Sequence, residues 1–269
     1  LREDGRVIYT LASVVDDIDF AVTDILRGED HMTNSAAQIQ LFEALGSSPP
    51  RLGHLSLLTD ISGEGLSKRL GSLSLKDLRQ EGFQPMAISS LLSKVGTSDA
   101  IDIFKNINQI IDDFDINKFG KSKPKFDKME LLNLNSKFFQ LIDFDDISGQ
   151  LNTLDFEITT EFWNLIKGNI NTFNDIKFWW NIVYGKIKTI NDDHEFTHLA
   201  LKTLPNDSFD KNTWSTWTSL LMKESGRKGK DLFKPLRLCL TGQNNGPEMA
   251  NLVLTMGRQK IVERLNNKN

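Results

Sequence analysis

The sequence predicts a mainly α-helical protein that begins with a smaller α/β part. Three short segments rich in apolar or β-branched residues, at 7–15, 23–26 and 52–58, lie in the first quarter of the chain. Such segments are typical of strands in a parallel sheet. Beyond residue 74 the apolar residues recur at helical spacing, and glycine, proline or Asn-Asp pairs separate the segments. We therefore expect a small sheet followed by a long series of helices.

Each element of the α/β part has its own boundary signals. The first strand is expected to end at Asp16 and Asp17. After the second strand, Thr33 or Asn34 can cap a helix over 35–45, because their side chains accept hydrogen bonds from the first free backbone N–H groups of a helix. The third strand follows two prolines that stop this helix.

The helical part is divided by capping residues and by proline and glycine. Ser74 and Asp77 resemble a capping box that opens a short helix ending at Gly82. Pro85 is placed to open the next helix, and Gly96 to close it. The remaining helices are predicted near 101–112, 127–142, 158–168, 171–190, 193–203, 211–225 and 247–265.

The composition is that of an ordinary folded protein. With 39% hydrophobic and 25% charged residues over 269 positions, the chain can form two or three compact units. The single cysteine, Cys239, excludes an intrachain disulfide and a zinc site of several thiolates, and it favours a cytoplasmic setting. No apolar run approaches the roughly 18 residues of a membrane span, so no membrane contact is expected. Because the chain begins with Leu1 rather than Met, we expect a fragment of a longer protein.

The charge is unevenly distributed. A net charge of −4 does not by itself indicate a nucleic-acid-binding protein. A basic run near the C-terminus could nevertheless contact phosphates, and the alternative is an ordinary solvated helix face. This basic run consists of Lys223, Arg227, Lys228, Lys230, Lys234 and Arg237.

Two groups of residues point to an anionic substrate. Lys68 and Arg69 follow a glycine-rich turn, and a pliable loop of this kind can bring two cations to a polyphosphate, although a solvated turn would have the same composition. Arg27 lies at the end of a predicted strand and could clamp a carboxylate in bidentate fashion. The alternative for Arg27 is a surface ion pair with Glu29 or Asp30.

Other patterns favour structural roles. The segment 194–198 matches His-Glu-x-x-His, but no third ligand follows at a suitable spacing, so no zinc site is expected. The five tryptophans between 163 and 217 have the helical spacing of a core, with stacking on unpaired bases as the alternative. Cys239 lies among leucines and favours burial over nucleophilic chemistry. Neither G-x-x-x-x-G-K-[ST] nor G-x-G-x-x-G occurs.

Several segments together resemble the bacterial glutamyl-tRNA synthetases, which are class I aminoacyl-tRNA synthetases. Tyr9–Asp17 is similar to the Tyr-x-x-x-x-Val-Val-Asp-Asp segment of that family, and 27–31 reads Arg-Gly-Glu-Asp-His as the family does. Residues 65–69 resemble its Lys-hydrophobic-Ser-Lys-Arg loop, with Gly65 in place of the first lysine. Residues 226–237 resemble its closing helical signature.

The resemblance implies an enzyme that joins glutamate to ATP, releases pyrophosphate, and transfers glutamate to the terminal ribose of tRNA. It implies the later half of a class I Rossmann-like catalytic domain at 1–60, a signature loop with stem-contact helices at 61–144, and an all-α anticodon-binding domain at 145–269. ATP with Mg²⁺ and tRNA(Glu) are the implied partners, tRNA(Gln) being a further substrate in some members. The protein would be a cytoplasmic monomer.

The resemblance also assigns roles to individual residues. Tyr9, Ser13 and Arg27 would bind glutamate; Asp30, His31, Leu57, Leu58, Leu66 and Lys68 would bind ATP; Lys68 and Arg69 would be catalytic; and Gly65, Leu66, Ser67, Lys68 and Arg69 would form the signature loop. Because Gly65 removes one cation, Lys68 and Arg69 would have to supply most of the charge. The family's first signature, His-x-Gly-His, does not occur, so the chain alone is expected to be inactive.

Three alternatives remain open at this point. The chain could be a non-catalytic tRNA-binding module, or a related enzyme that modifies a tRNA base with glutamate, although the long helical tail disfavours the latter. A glutaminyl enzyme would have a β-barrel anticodon part, which the helical periodicity does not indicate.

Overall fold

The computed structural model describes residues 3–66, 74–190 and 192–266. The chain forms two compact units. The first unit consists of Leu1–Ser74, Ser89–Asp102 and Asn106–Glu130, and the second of Leu75–Ile88, Ile103–Lys105 and Leu131–Asn269. The division into three domains predicted from the sequence stays a prediction.

A parallel β-α-β arrangement lies in the first unit. Strands β1 (Asp24–Gly28) and β2 (Arg51–Leu55) pair in parallel, with Arg27 opposite His54. Helix α2 (Met32–Ala44) connects them, after a 3₁₀ turn over Glu29–His31. The second and third predicted strands are therefore confirmed, with shifted ends. In this arrangement β1, the 3₁₀ turn, α2 and β2 all contribute to the candidate site.

The prediction of a strand at 7–15 is wrong. Residues Tyr9–Asp19 form helix α1, which packs on α2 and fully buries Val14. A short apolar run does not by itself distinguish a strand from a packed helix, and here tertiary packing decides. Asp16 and Asp17 continue the helix instead of ending it.

The predicted cap of α2 is also wrong. The helix begins at Met32, with His31 as its N-cap residue, because the 3₁₀ turn over Glu29–His31 leads directly into it. Thr33 and Asn34 consequently lie inside the first turn of the helix. Gly46, just beyond its end, has a φ of +77°.

The proline and glycine signals after residue 74 are confirmed. Helix α3 (Leu75–Gln80) begins directly after Ser74, and α4 (Pro85–Lys94) begins at the predicted proline. Gly82 and Gly96, which follow these helices, have φ of +86° and +93°. Helix α5 is Ile107–Asp113, a 3₁₀ turn covers Ile116–Lys118, and α6 is Lys128–Leu141.

All regular secondary-structure elements in the described part of the second unit are helices. Its later helices are α7 (Phe144–Leu151), α8 (Thr160–Ile166), α9 (Asp175–Val183), α10 (His194–Lys202), α11 (Thr213–Ser225), α12 (Lys230–Thr241) and α13 (Met249–Asn266), the last broken at Gly257. Helix α9 begins later than predicted, because the Asp175 carboxylate accepts hydrogen bonds from the backbone N–H groups of Asn171 and Thr172 and fixes a turn there. It also ends earlier than predicted, at Val183. Helices α7 and α12 are not among the elements predicted from the sequence.

The tryptophans build the core of the second unit, as predicted. Trp163 and Trp217 are fully buried and Trp179 is nearly so. Their indole N–H groups donate to backbone carbonyls, for example from Trp217 to Ala200 at 2.9 Å. Cys239 is buried beside Thr197, and burial raises the pKa of its thiol. These residues are therefore structural.

Among the described helices, none combines the length and the apolar character needed to cross a membrane.

Candidate functional site

The candidate site begins with Arg27, near the carboxyl end of β1. The Arg27 side chain is half-buried, and its Nη2 donates a hydrogen bond to the hydroxyl of Ser35 on α2. Its Nε is buried and has no hydrogen-bond partner among the described residues. Within that part of the chain no ion pair joins Arg27 to Glu29 or Asp30, so the surface-pair alternative is not supported. Ser35 thus holds the guanidinium in place, while the N–H group at Nε is unused.

Ser35 connects this arginine to two other elements. Its Oγ lies 2.7 Å from Nε2 of His54 on β2 and 3.2 Å from the carbonyl oxygen of His31. If His54 carries its proton on Nε2, the Ser35 hydroxyl accepts hydrogen bonds from His54 and Arg27 and donates one to the His31 carbonyl. The hydroxyl then uses its full hydrogen-bonding capacity of one donor and two acceptor sites. One hydroxyl thereby links β1, β2 and the turn before α2.

A second contact holds Ser13, on α1. Gln38 of α2 donates from Nε2 to the Ser13 hydroxyl at 2.6 Å. Nearby, the rings of Tyr9 and His31 meet edge to face with centroids 5.7 Å apart. The structure thus brings predicted residues from α1 and from the turn before α2 to one side of the first unit.

The glycine after Arg27 allows the chain to turn closely past its neighbours. A Cβ atom at Gly28 would collide with the Asp30 carboxylate and with the Leu57 side chain. Leu57 therefore lies against the end of β1, close to Asp30, another of the predicted ATP-binding residues. The Arg-Gly pair combines a strand-end cation with a small residue that leaves room for the Asp30 and Leu57 side chains.

The other predicted site residues differ in how they are placed. Asp30 is exposed, with its carboxylate 4.0 Å from the His31 ring; Leu57 and Leu66 are exposed, and Leu58 is half-buried. Ser67, Lys68 and Arg69 lie outside the described residues. Gly65 forms a bridge to Thr59.

The position of Gly65 does not itself require glycine. A Cβ atom there would meet nothing within 4 Å, and its φ is not among the positive values. The backbone therefore leaves room for the lysine that the resembling family has at this position.

Sequence reasoning missed Ser35, Gln38 and His54. A serine and a glutamine inside a helix carry no motif, and only their burial, at 5% and 4% exposure, distinguishes them. The parallel register that places His54 opposite Arg27 could not be deduced from spacing.

A second candidate surface lies at α12 in the second unit. Lys230, Lys234 and Arg237 line a concave surface together with Phe233, Asn244 and Asn245. The two lysines are exposed, whereas Arg237 is half-buried and donates to the Pro247 carbonyl at 2.9 Å. Burial lowers the pKa of Arg237.

Another cation of the basic run has a structural partner. Arg227 pairs with Asp193 at 2.7 Å and lies over the ring of Phe196. Asp193 also caps α10 by accepting from the Phe196 backbone. The exposed lysines of α12 are therefore the better candidates for contacts with phosphates.

The His-Glu-x-x-His segment lies on α10. His194 and His198 are both exposed, while Phe196 and Thr197 between them are buried. Within residues 3–66, 74–190 and 192–266 there is no group of three or more histidine, cysteine or acidic residues that could hold a metal ion.

Comparison with known proteins agrees with this fold. The family model of the class I tRNA synthetases (E and Q), catalytic domain, matches residues 1–133, and the anticodon binding domain model matches residues 140–268. The chain belongs to the class I tRNA synthetases of the glutamate and glutamine group. The resemblance in the motifs is thereby confirmed.

Within this group the chain is most informatively compared with glutamate–tRNA ligases. It is 44% identical to the enzyme of Azospirillum brasilense over 267 residues, which is 98% of this chain and 60% of that protein. It is 43% identical to glutamate–tRNA ligase 1 of Maricaulis maris over 266 residues, with the same coverage. The chain thus spans about 60% of the length of these relatives.

Solved structures show the same fold. The glutamate tRNA ligase of Elizabethkingia meningosepticum, in complex with its amino acid, superposes with a TM-score of 0.80 at 22% identity, covering 99% of this chain and 60% of that one. The enzyme of Elizabethkingia anophelis gives 0.77 at 23% identity, with the same coverage. The expected fold class, a class I catalytic part followed by a helical anticodon-binding part, is confirmed.

The comparisons also bear on the alternatives left open by the sequence. The anticodon binding domain model extends over the helical tail, and the described part of this tail contains no β-barrel. These observations disfavour both a base-modifying relative and a glutaminyl enzyme with a β-barrel anticodon part.

Proposed function

We propose that the protein acts as a glutamate–tRNA ligase, with Arg27 as the clamp for a glutamate carboxylate. The observation that carries this proposal is the state of Arg27. One Nη group is held by Ser35, and the buried Nε has no hydrogen-bond partner among the described residues. A guanidinium with unused donors in a fixed orientation suits bidentate binding of a carboxylate.

In the proposed reaction, a carboxylate oxygen of glutamate attacks the α-phosphate of ATP and pyrophosphate leaves. A ribose hydroxyl at the end of tRNA then attacks the activated carbonyl and displaces AMP. Arg27 would hold the other carboxylate of glutamate, while Tyr9 and Ser13 lie on the neighbouring helix α1. Such positioning lowers the barrier by fixing the reacting groups in place.

The nucleotide would bind at the ends of β1 and β2. Asp30, His31, Leu57, Leu58 and Leu66 are the proposed contacts on that side. Magnesium would accompany ATP as part of the substrate complex and neutralise phosphate charge. Lys68 and Arg69 would stabilise the departing pyrophosphate; their assignment rests on the motif.

For the tRNA, the exposed lysines of α12 are the proposed phosphate contacts. tRNA(Glu) is the expected substrate, with tRNA(Gln) as a second one to be tested. A cytoplasmic, monomeric protein is consistent with this activity and with a single buried cysteine.

ATP–pyrophosphate exchange with the full-length gene product, in the presence of tRNA, tests the proposal. We expect exchange that depends on glutamate and not on glutamine or aspartate. Arg27→Lys keeps the charge but removes the planar fork, and we expect it to raise the KM for glutamate about 10-fold or more while leaving the KM for ATP nearly unchanged.

Two outcomes would contradict the proposal. Exchange that is absent with glutamate while the protein still binds tRNA would favour a non-catalytic binding module. Normal glutamate KM in Arg27→Lys would remove Arg27 from the proposed site.

A further inference from the structure

We propose that Ser35 and Gln38 are positioning residues that orient the amino-acid site from the buried face of α2. This inference rests on the proposed function, because it assigns these two side chains to the site built by Arg27 and Ser13. Neither residue would touch the substrate. Each would act by holding a residue that does.

The buried face of α2 carries two polar side chains. Ser35, Gln38 and Phe42 form the buried stripe of this helix. At such positions an apolar side chain would contribute packing without a desolvation cost, whereas a polar one requires hydrogen-bond partners. Two of these three positions are nevertheless polar.

Both polar side chains of this face bond residues of the proposed amino-acid site. The Ser35 hydroxyl bonds Arg27, and the Gln38 amide bonds Ser13 at 2.6 Å. The two partners both belong to the set of proposed glutamate ligands, although they come from different elements, β1 and α1. Helix α2 therefore connects the two sides of the proposed amino-acid site through side chains one turn apart.

Ser35 also restricts the rotational freedom of the Arg27 side chain. An arginine side chain loses much of its rotamer freedom when it is fixed. Ser35, itself fixed by His54 at 2.7 Å and by the His31 carbonyl at 3.2 Å, restrains the guanidinium before any ligand arrives. Less entropy is then given up on binding, which strengthens affinity for the amino acid.

Positioning has a kinetic signature that a general loss of stability does not have. If Ser35 acts through Arg27, removing its hydroxyl weakens glutamate binding and leaves ATP binding unaffected. We expect Ser35→Ala to raise the KM for glutamate about 10-fold, with the KM for ATP changed by less than about twofold. Ser35→Thr keeps a hydroxyl and should restore the KM for glutamate to near the wild-type value.

Gln38 provides an independent test with a matched control. Gln38→Met keeps a flexible side chain of similar length and removes the bond to Ser13; we expect the KM for glutamate to rise about threefold to 10-fold. Gln40→Met makes the same replacement at an exposed position of the same helix and should leave both KM values unchanged. If Ser35→Ala does not fold, this pair carries the test.

The experiment measures glutamate-dependent pyrophosphate exchange by the full-length protein and its variants, at saturating ATP and then at saturating glutamate. A selective rise in the KM for glutamate, with rescue by threonine, supports the proposal. Equal rises in both KM values, or an unchanged glutamate KM in Ser35→Ala and Gln38→Met, would overturn it while leaving the ligase activity of the wild type intact. An inactive wild-type protein would overturn the proposed function itself, and this inference with it.

Discussion

Arg264 donates a hydrogen bond from Nη2 to the backbone carbonyl of Gly185 at 2.9 Å. The same nitrogen lies 3.1 Å from the carbonyl of Ile182, in the last turn of α9. The Arg264 side chain is 1% exposed, and burial lowers its pKa. A buried cation thus satisfies carbonyls that the end of α9 leaves without partners inside the helix.

Removing this cation should destabilise the protein. Arg264→Met preserves most of the aliphatic volume but leaves the carbonyls at the end of α9 without these donors, so we expect a loss of about 2 to 4 kcal/mol in the free energy of unfolding. Urea unfolding followed by tryptophan fluorescence measures it. Arg258→Met, which alters exposed hydrogen bonds on the same helix, should cost less than about 1 kcal/mol. Equal losses in the two variants would contradict the role assigned to Arg264.

Gly246 is required by both its backbone and its surroundings. Its φ is +145°, and a Cβ atom there would collide with the ring of Trp179. Gly246→Ala should therefore combine backbone strain of about 1 to 3 kcal/mol with an overpacking cost of about 1 to 3 kcal/mol.

The matched control for this substitution is Gly226→Ala. Gly226 ends α11 with a φ of +69°, but a Cβ atom there meets nothing within 4 Å. Gly226→Ala should therefore lose only the free energy of unfolding that alanine costs in a left-handed backbone conformation. Thermal unfolding distinguishes the two variants, and a similar loss for both would mean that Trp179 moves aside at no cost.

The sequence predicts elements best where one residue type decides a local conformation. Pro85 and Gly96 bracket α4 because proline suits a first turn and glycine suits a left-handed end, whatever the rest of the chain does. The apolar run of α1 fits a strand as well as a helix, and only its packing on α2 decides between them. Helix α12 is missed because Pro235 lies inside it and is normally a signal that a helix ends, although Leu232, Leu236 and Leu240 recur at helical spacing.

The same distinction between local signals and tertiary packing applies to the residues of the candidate site. Arg27 and Tyr9 lie in recognisable segments, so the sequence indicates them. The other three residues can be recognised only from contacts between distant parts of the sequence. Ser35 contacts Arg27 across 8 positions, Gln38 contacts Ser13 across 25, and His54 contacts Ser35 across 19. Such contacts depend on how α2 packs against both strands and α1, which no local pattern encodes.

An ion-pair group in the first unit should make its stability depend on pH. Lys94 is buried and pairs with Asp113 and with Asp99, the latter at 2.9 Å, and Lys118 also reaches Asp99 at 2.9 Å. Lys94, and then Lys118, hold the pKa of Asp99 below its usual value. Asp113, and then Asp99, raise the pKa of Lys94.

The two shifts act at opposite ends of the pH scale. The contribution of Asp99 is present above its unfolded pKa, about 3.9, and is lost as the pH falls through the lower folded value. That of Lys94 is present below its unfolded pKa, about 10.4, and is lost as the pH rises through the higher folded value.

Asp99→Asn should therefore lower the unfolding temperature at pH 7. It should also make the decrease in unfolding temperature between pH 5 and pH 2 smaller than in the wild type, because the contribution of Asp99 is already missing. Differential scanning calorimetry over that range measures the change. Asp16→Asn, at an exposed position of α1, serves as the control and should follow the wild-type profile. A wild-type acid dependence in Asp99→Asn would show that the group does not couple folding to protonation.

Binding of tRNA should depend on salt through the lysines of α12. Lys230 and Lys234 are exposed and line the same concave surface as Phe233 and Arg237. Each lysine that neutralises a phosphate releases condensed counterions, so each substitution that removes such a lysine should reduce the slope of log K against log salt by about 0.7 to 0.9. Filter binding of tRNA to the full-length protein, with Lys230→Ala, Lys234→Ala and the double variant, measures that slope.

The control for this experiment is Lys202→Ala, on the exposed side of α10, which should leave the slope unchanged. It removes the same charge from the same unit at a position outside the concave surface of α12. A change in slope that is specific to the α12 variants therefore reports phosphate binding there and not the net charge of the protein. A double variant with the wild-type slope would assign α12 to the solvated surface and require the phosphate contacts to lie elsewhere.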